Sequence, residues 1–478
     1  MSIAAISTPA GAGGIAVLRV SGADAFAVCD KVFTGRTPLA AMAGYTAQFG
    51  HVADADGIID ECVALVFRAP RSYTGDVVVE LSCHGGVTVA RRVLRALLDA
   101  GAKPAGPGAF TRRAFENGKL DLTQAEAVAA LIGAESDAAA RAALHLREGA
   151  LSVRAREIRA PLLHALAQFD AYIDYPDDDI PDLTPAMLGR TVGEARGALE
   201  ALLATWDAGR VLFGGVDTVI AGAPNVGKST LMNCLSRSER SIVTPLPGTT
   251  RDVVETTVQV GDVTLRLADT AGLREAADPV ESLGVARTKA RLWGAQLVLA
   301  VFDASRELTE NDRALLGELP AASILVLNKI DLPVRCDETM LRAAWEAARV
   351  PGARGADGKD ADAQGTDFAE TKSTALHIVP VSLRTGEGLP ALEATIEKMC
   401  LGDVDLSAPL LANERQRACV AAAREALDEA LEALEAGVTL DAVAVSVTAA
   451  LDELFALTGE KASDAVLEHI FAEFCVGK

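Results

Sequence analysis

Several features that would mark a membrane, secreted or zinc-binding protein are missing from this chain of 478 residues. The longest apolar run, Leu292 to Phe302, is too short to span a membrane as a helix and is predicted to be a buried strand. The first residues lack the basic and apolar segments of a secretory signal. The eight cysteines show no C-x-x-C spacing, which argues against a zinc module and favours a reducing compartment. We therefore expect a cytoplasmic protein without a membrane span.

Basic residues are also in short supply. The chain has 45 Lys and Arg against 66 Asp and Glu, a formal net charge of −21. Phosphate backbones are bound by clustered Lys and Arg, so this chain alone is expected to bind nucleic acid weakly. Work on RNA would need a local basic patch or a basic partner protein. At this length two to four domains are expected, and half of the residues are apolar, which is ample for packed cores.

The central feature of the sequence is Gly222-Ala-Pro-Asn-Val-Gly-Lys-Ser229, which fits the P-loop pattern G-x-x-x-x-G-K-[ST]. An apolar strand, Val216 to Ala221, is predicted before it and a helix, Lys228 to Leu235, after it. Glycines let such a loop wrap a phosphate, and the N–H groups that start the helix point at it. Lys228 is expected to reach the β- and γ-phosphates, and the Ser229 hydroxyl to ligate Mg²⁺. The alternative is a glycine-rich surface turn that matches by chance.

Two further motifs follow in the order that a GTPase requires. Asp269-Thr-Ala-Gly272 comes after the predicted strand Val263 to Ala268, where a carboxylate can hold Mg²⁺ through water and a backbone N–H can sense a γ-phosphate. Asn328-Lys-Ile-Asp331 ends the predicted strand Ile324 to Leu327. The Asp331 carboxylate can accept two hydrogen bonds from guanine, a pair that adenine does not offer. The expected ligand is therefore GTP rather than ATP.

The means of hydrolysis is less conventional. Pro247-Gly-Thr-Thr-Arg-Asp252 is a polar loop that is predicted to be the γ-phosphate switch, with Thr250 as the second hydroxyl for Mg²⁺. Leu273 stands where Ras-like enzymes have a glutamine that orients water, and leucine cannot do this. Asn225 offers a carbonyl oxygen near the phosphates and could help to bind a monovalent cation in place of an arginine finger. Glu281 could orient water, although from the residues alone a surface carboxylate is the simpler interpretation.

The predicted secondary structure differs on the two sides of these motifs. Short strands such as Ile15 to Val20 and an amphipathic helix, Val87 to Asp99, are predicted near the start. Helical segments follow, one beginning with Thr123-Gln-Ala-Glu126, which is interpreted as a capping box. The predicted domains are an N-terminal α+β domain, two halves of a helical domain, and a doubly wound α/β domain inserted between those halves, with a flexible insertion of its own. The α+β domain spans residues 1–118. The two halves of the helical domain span 119–212 and 401–478. The α/β domain spans 213–400, with the insertion at 352–372.

Stretches well outside the GTPase motifs resemble one family, the tRNA modification GTPase MnmE, also called TrmE. They are more specific than the P-loop, which many GTPases share. They are Ile3-Ala-Ala-Ile-Ser-Thr-Pro9, Gly13-Gly14, Leu18-Arg-Val-Ser-Gly22, Tyr73-Thr-Gly75, Glu80-Leu-Ser-Cys-His-Gly-Gly86, Gly108-Ala-Phe-Thr-Arg-Arg-Ala-Phe115, Asn117-Gly-Lys-Leu-Asp-Leu-Thr-Gln-Ala-Glu-Ala127, Ile173-Asp-Tyr-Pro176 and the tail Phe474-Cys-Val-Gly-Lys478.

The resemblance implies a fold and an activity. The implied fold is a multidomain α+β and α/β protein, with an N-terminal domain that binds 5-formyl- or methylene-tetrahydrofolate and dimerises, a split helical bundle, and an inserted Ras-like P-loop GTPase. The implied activity is a potassium-dependent GTPase that acts as a homodimer. With the FAD- and NADH-dependent partner MnmG, in a heterotetramer, it would add a carboxymethylaminomethyl or aminomethyl group to C5 of the wobble uridine of certain tRNAs. GTP hydrolysis would be stimulated when the two GTPase domains meet.

The resemblance also implies roles for individual residues. Potassium would be bound at Asn225, Thr244, Leu246 and Thr249, and magnesium at Ser229 and Thr250. Glu281 would be the catalytic, water-orienting glutamate, and Cys475 a tail cysteine needed for tRNA modification. Folate would be bound at Arg19, Glu80, Lys119 and Lys478. Contacts to GTP are expected from Asn225, Val226, Gly227, Lys228, Ser229, Thr230, Thr244, Pro245, Leu246, Pro247, Gly248, Thr249, Thr250, Asp269, Thr270, Ala271, Gly272, Asn328, Lys329, Asp331, Ser382, Leu383 and Arg384.

The sequence departs from the family at two places. Ser382-Leu-Arg384 stands where guanine-binding GTPases usually carry Ser-Ala, and the insertion at 352–372 is not a feature associated with the family. Two other functions remain open at this point. One is a switch GTPase of the ribosome-assembly kind, which would need a basic RNA-binding appendage that this acidic chain lacks. The other is a one-carbon transferase with a regulatory GTPase attached.

Overall fold

The computed structural model of the protein describes residues 1–174, 184–236, 256–267, 292–349, 376–402 and 404–477. The chain forms two compact units. The first consists of Met1–Ile132, Ala143–Leu203 and Glu414–Lys478, and the second of Gly133–Ala142 and Ala204–Asn413. Within the described ranges, every helix is either too short or too polar to cross a membrane.

The described strands and helices are numbered in chain order. The strands are β1 (Ile3–Ile6), β2 (Ile15–Ser21), β3 (Phe33–Gly35), β4 (Thr46–Asp54), β5 (Gly57–Phe67), β6 (Val78–His84), β7 (Lys103–Pro104), β8 (Val216–Ala221), β9 (Thr256–Val260), β10 (Val263–Leu267), β11 (Leu297–Asp303), β12 (Ser323–Asn328) and β13 (His377–Val381). The helices are α1 (Ala25–Cys29), α2 (Val87–Asp99), α3 (Ala109–Glu116), α4 (Leu122–Ile132), α5 (Asp137–Arg147), α6 (Ala150–Asp174), α7 (Pro185–Leu203), α8 (Trp206–Gly214), α9 (Lys228–Ser236), α10 (Glu310–Glu318), α11 (Glu338–Arg349), α12 (Leu389–Leu401), α13 (Glu414–Glu435), α14 (Leu440–Thr458) and α15 (Asp464–Ala472).

A seven-stranded sheet forms the start of the first unit, in the order β3-β4-β5-β6-β2-β1-β7. Its neighbouring strands are antiparallel except for the pair β1 and β7. Helix α2 packs against this sheet through Ala90, Val93 and Leu97, whose spacing of three to four residues puts them on one helix face. The amphipathic helix predicted here is therefore confirmed. The β2–β6 register places Arg19 directly opposite Glu80.

The capping box predicted at Thr123 to Glu126 is wrong in its register. The backbone N–H of Gln124 donates to Oδ1 of Asp121, and the backbone N–H of Asp121 donates to Oε1 of Gln124, each over 3.0 Å. The helix α4 is thus capped two positions earlier than predicted. Glu126 does not cap the helix. Its buried carboxylate instead accepts hydrogen bonds from Nε and Nη2 of Arg415 over 2.6 and 2.8 Å.

Arg415 ties together segments of the first unit that are far apart in sequence. It lies in the first turn of α13, while Glu126 lies in α4. Its Nη1 and Nη2 also donate to the carbonyl oxygens of Ala456 and Leu457, over 3.1 and 3.0 Å, at the end of α14. Helix α13 packs against both α14 and α7. The helices before residue 204 and after residue 413 therefore share one packed unit.

The second unit is built on a six-stranded sheet with the order β13-β12-β11-β8-β10-β9. All neighbouring pairs are parallel except β9 and β10. Helices α8, α9 and α12 contribute to the apolar core on one face, and α10 and α11 to the core on the other. Every residue of β11 and β12 is buried, as expected of parallel strands covered on both faces. The mostly parallel, doubly wound sheet predicted from the sequence is confirmed.

One strand of this sheet is shorter than predicted. The apolar run predicts a strand that begins at Leu292, but residues 292–294 are helical and β11 begins at Leu297. Gln296 separates the two. Its backbone N–H donates to the carbonyl of Asp217, and its side-chain oxygen accepts from the backbone N–H of Asp217, both over 2.9 Å. The polar Gln296 therefore lies just before the amino-terminal end of β11.

Candidate functional site

The P-loop lies between β8 and α9, as the sequence predicts, and two glycines give it its shape. Gly222 has φ +145° and Gly227 has φ +112°, which are strained values for other residues. A Cβ at Gly222 would lie 2.5 Å from the carbonyl oxygen of Val301, and a Cβ at Gly227 would lie 2.3 Å from Nδ2 of Asn328. The loop therefore packs too closely against the ends of β11 and β12 to accept a side chain at either position.

Lys228 and the residues after it supply the polar groups of this loop. The Nζ of Lys228 donates to the carbonyl oxygens of Gly222 and Ala223, both over 2.8 Å. Burial lowers the pKa of Lys228. Ser229 and Thr230 are exposed in the first turn of α9, where backbone N–H groups and the helix dipole favour an anion. This combination suits a phosphate group, whose charge would favour the protonated lysine.

Asn328, at the end of β12, joins the P-loop to the loop after β13. Its buried side chain donates from Nδ2 to the carbonyl oxygen of Val226 over 2.7 Å. Its Oδ1 accepts from the backbone N–H of Leu383 over 3.1 Å. One amide therefore holds together the three loops that the sequence assigns to the nucleotide.

Lys329 makes a second connection between the same loops. Its φ is +70°, in the left-handed region, and its Nζ donates to the carbonyl oxygen of Asn225 over 2.9 Å. Asn225 itself has φ +63° and is exposed at the tip of the P-loop. Nζ of Lys329 also donates to Oδ2 of Asp303 over 2.6 Å.

Asp303 is a residue of this site that sequence reasoning missed. It ends β11, and its Oδ1 accepts from the backbone N–H and the hydroxyl of Ser305 over 2.9 and 2.6 Å. Burial acts to raise the pKa of Asp303, but the hydrogen bonds from Lys329 and Ser305 outweigh it and the pKa is lowered. The carboxylate is therefore charged at neutral pH. In the sequence, the one feature that points to Asp303 is its position as a single acidic residue at the end of an otherwise apolar strand.

Asp331 presents the acceptor expected for guanine. Its Oδ1 accepts from the hydroxyl of Ser382 over 2.7 Å, and its Oδ2 lies 2.6 Å from Nη2 of Arg384. The Ser382 hydrogen bond and the charge of Arg384 hold the pKa of Asp331 below its usual value. The side chain of Arg384 is 74% exposed, whereas that of Asp331 is 12% exposed. The ionised carboxylate is thus fixed in place, while Arg384 can leave it at little cost.

Part of the predicted nucleotide site lies outside the described residues. These predictions concern the switch, the Asp-Thr-Ala-Gly motif, the catalytic glutamate and the insertion: Thr244, Pro245, Leu246, Pro247, Gly248, Thr249, Thr250, Asp269, Thr270, Ala271, Gly272, Glu281 and residues 352–372. The described part comprises the P-loop from Asn225 to Thr230, the segment from Asn328 to Asp331, and Ser382 to Arg384, and the structure brings these three segments together.

A second polar site lies on the sheet of the first unit. Arg19 donates from Nε to Oε1 of Glu80 over 2.9 Å, and its Nη2 lies 2.9 Å from the same oxygen. The guanidinium carbon lies 5.4 and 5.5 Å from the ring centroids of Tyr73 and Phe110. Its Nη1 is buried without a hydrogen-bond partner among the described residues. A buried donor of this kind is costly unless a ligand or water satisfies it.

The C-terminal tail lies against the same part of the first unit. The carbonyl oxygen of Cys475 accepts from the backbone N–H of Gly108 over 3.3 Å, next to the start of α3. The hydroxyl of Ser7 donates to the carbonyl oxygen of Gly477 over 3.0 Å. Cys475 is exposed, and Lys119 is exposed with its Nζ donating to the carbonyl oxygen of Pro70 over 3.3 Å. Lys478, the remaining residue of the predicted folate site, lies outside the described residues.

Comparison with known proteins shows similarity along the whole chain. The family model for the MnmE helical domain matches residues 122–475, and that for the GTP-binding protein TrmE N-terminus matches residues 2–119. The tRNA modification GTPase MnmE of Symbiobacterium thermophilum is 44% identical over 483 residues, covering 100% of this chain and 99% of the relative. That of Enterococcus faecalis is 40% identical over 484 residues, covering 100% and 98%. Among solved structures, the G domain of the T. maritima FeoB iron transporter is 25% identical and covers 38% of this chain and 98% of its own, with a TM-score of 0.25.

Proposed function

This chain belongs to the MnmE family of tRNA modification GTPases, and from that premise we propose how its residues divide the work. It is a GTP hydrolase that acts in tRNA modification. We propose that its hydrolysis depends on potassium, and that with MnmG it adds an aminomethyl-type group to C5 of the wobble uridine, using a tetrahydrofolate as the one-carbon donor. The observation that carries the nucleotide part is the convergence of Lys228, Asn328 and Asp331 on one edge of the sheet.

The described residues account for binding of the base and the phosphates. Asp331 would accept the ring N–H and the exocyclic amine of guanine, with Arg384 moving away from the carboxylate. Lys228 would exchange its two carbonyl partners for phosphate oxygens, which are stronger acceptors for an ammonium group. Ser229 would hold Mg²⁺ together with Thr250, which lies outside the described residues, and the bound ion would neutralise charge on the phosphates.

Potassium is proposed because the position directly after the Asp269-Thr-Ala-Gly272 motif lacks the glutamine that orients the attacking water in Ras-like enzymes. Leu273 stands at that position. The backbone oxygen of Asn225 is fixed by Lys329, while Asn225 itself is exposed at the tip of the P-loop. Its side-chain oxygen can therefore serve as a cation ligand, together with Thr244, Leu246 and Thr249. The bound ion would supply positive charge next to the phosphates, and Glu281 would orient water.

The ion requirement is tested by measuring GTP turnover in potassium and in sodium at equal ionic strength. Turnover is expected to be much faster in potassium. Asn225→Ala should lose this difference while it still binds GDP, because the base and phosphate contacts remain. Equal rates of the wild-type protein in both salts would exclude the potassium mechanism but not GTP hydrolysis itself.

Folate is proposed as the ligand of the Arg19–Glu80 site. The unpartnered Nη1 of Arg19 can bind an anionic or carbonyl oxygen, and a carboxylate such as Glu80 can accept the adjacent N–H donors of a pterin ring. Lys119 and Lys478 would attract the glutamate tail, and Cys475 would act in the modification step. Titration with 5-formyltetrahydrofolate should give saturable binding that Glu80→Gln weakens. An equal affinity of Glu80→Gln and the wild-type protein would contradict this assignment.

The modification reaction is proposed to need other chains. With a net charge of −21, this protein would leave much of the grip on tRNA to MnmG, and a homodimer would bring two GTPase domains together. Nucleoside analysis of tRNA from cells that lack this protein tests the proposal directly. Loss of the modified wobble uridine is expected, and restoration by the wild-type gene is the control. Unchanged wobble uridines would refute the proposed role.

A further inference from the structure

We propose that Asp303 is a positioning residue for guanine-nucleotide binding, because it holds the ammonium group of Lys329 against the P-loop carbonyl of Asn225. In this way it fixes the base-recognition segment relative to the phosphate-binding loop. The inference goes beyond the proposed function and rests only on the binding of a guanine nucleotide at this site, not on potassium, folate or tRNA.

The sheet itself puts Asp303 in place. Strands β11 and β12 are parallel, and their register pairs Asp303 with Asn328, so Lys329 is the first residue beyond the pair. Two donors of Ser305 occupy Oδ1 of Asp303 and thereby orient the carboxylate. Its Oδ2 faces Nζ of Lys329 over 2.6 Å, and Nε of Arg306 lies 4.0 Å away. The aim of the carboxylate is therefore fixed by the backbone and by Ser305.

The two residues that Asp303 connects both have unfavourable backbone conformations. Lys329 and Asn225 are non-glycine residues with φ of +70° and +63°. Left-handed conformations of such residues persist where the surrounding contacts stabilise them. The bond from Lys329 to the carbonyl of Asn225 is the contact that joins them, and Asp303 supplies the charge that keeps the ammonium there. Without that charge, the ammonium is expected to turn towards solvent. Among the described side-chain hydrogen bonds, the one from Asn328 to Val226 would then be left to join the two loops.

A purely structural role is the competing explanation, and the chain offers a matched control for it. Asp312 is also a buried carboxylate of the second unit, 2% exposed. It pairs with Arg306 over 2.7 and 3.2 Å and forms the capping box of α10 with Thr309. It has no contact with the P-loop or with Lys329 among those that the structure describes, and its partner Arg306 lies 4.0 Å from Oδ2 of Asp303, beyond hydrogen-bond distance. Loss of its charge should therefore lower stability without changing nucleotide affinity.

The test compares the affinity of the full-length protein for a fluorescent GDP analogue in four variants, with nucleotide-free thermal unfolding as a folding control. Asp303→Asn is expected to bind about tenfold more weakly, the typical effect of losing one charge-assisted hydrogen bond. Lys329→Met should show a similar loss, and the double variant Asp303→Asn/Lys329→Met should be no weaker than Lys329→Met alone. Asp312→Asn should unfold at a lower temperature and bind GDP as the wild-type protein does.

Three results would overturn the proposal. The first is an unchanged GDP affinity in Asp303→Asn. The second is a further tenfold loss when Asp303→Asn is added to Lys329→Met, because Asp303 would then act independently of the lysine. The third is an unchanged GDP affinity in Lys329→Met; this side chain is 31% exposed, so the variant is expected to fold even if Asp303→Asn does not. None of these results depends on the potassium requirement, which is measured separately.

Discussion

Replacement of Asp331 by asparagine should change the base that the protein binds. The carboxylate of Asp331 is held by Ser382 through Oδ1, and that contact survives the substitution because an amide oxygen also accepts a hydrogen bond. The substitution replaces one acceptor oxygen by an NH₂ donor. Guanine presents two donors to this position, so one hydrogen bond is lost and a donor faces a donor. Xanthine has an oxygen in place of the exocyclic amine and would pair with the asparagine.

The size of the effect can be estimated from these contacts. A hydrogen bond to a charged acceptor contributes roughly a factor of ten or more in affinity, and a buried unpaired donor adds a comparable loss. Both guanine contacts involve the charge that is removed, so GDP affinity should fall about 10³-fold. The contact with Arg384 adds little to this sum, because the arginine side chain is 74% exposed. Xanthosine diphosphate should gain affinity by a similar factor.

Titration of both diphosphates against wild-type protein and Asp331→Asn measures the two affinities. Asp337→Asn is the matched control, because Asp337 is an exposed carboxylate six residues further on whose Oδ1 accepts from the backbone N–H of Met340. Asparagine is an equally good acceptor in such a position. An Asp331→Asn protein that binds GDP as tightly as the wild type and does not bind xanthosine diphosphate would refute this account of base recognition.

Three further substitutions test other parts of the description. Glu126→Gln should lower the free energy of unfolding of the first unit by about 3 kcal/mol, the usual cost of removing one partner of a buried ion pair. Urea unfolding followed by circular dichroism measures this change. Tryptophan fluorescence is the internal control, because all three tryptophans lie in the second unit. Gly227→Ala should weaken GDP binding at least tenfold, because a Cβ would lie 2.3 Å from Nδ2 of the buried asparagine, whereas Gly214→Ala, with open space around it, should have no effect on a GDP titration. Glu281→Ala should slow GTP hydrolysis without weakening GTP binding, and an equal loss of both would place this residue outside the catalytic step.

The positions of the P-loop and of the Asn328 to Asp331 segment in the fold could be predicted because both segments follow strands. The P-loop and the Asn328 to Asp331 segment each come directly after an apolar run, and parallel strands end at the same edge of a sheet. Asp303 also ends such a strand, but it lies outside the motifs identified in the sequence, and an isolated acid has many equivalent interpretations in a sequence. Its role depends on the register between β11 and β12, which is a property of the folded sheet.

Errors at the boundaries of elements had local causes. Thr123 and Glu126 have the residue types of a capping box, but Asp121 and Gln124 have them as well, two positions earlier. Glu126 is instead bound by Arg415, from a helix almost 300 residues further along the chain. Propensity rules that consider only neighbouring residues cannot include such a contact.

The interrupted first unit has a consequence for synthesis of the protein on the ribosome. Helix α7 ends at Leu203, and its packing partner α13 begins at Glu414. The 210 residues between them are synthesised before α13. At a translation rate of about 5–20 residues per second, α7, whose buried side chains include Leu188, Val192 and Leu199, is complete roughly 10–40 s before this partner is made. The second unit has its own cores and can fold during that interval. Nascent chains should therefore expose an apolar helix surface to which chaperones can bind. Slower translation of the middle segment should increase the fraction of chains lost to aggregation.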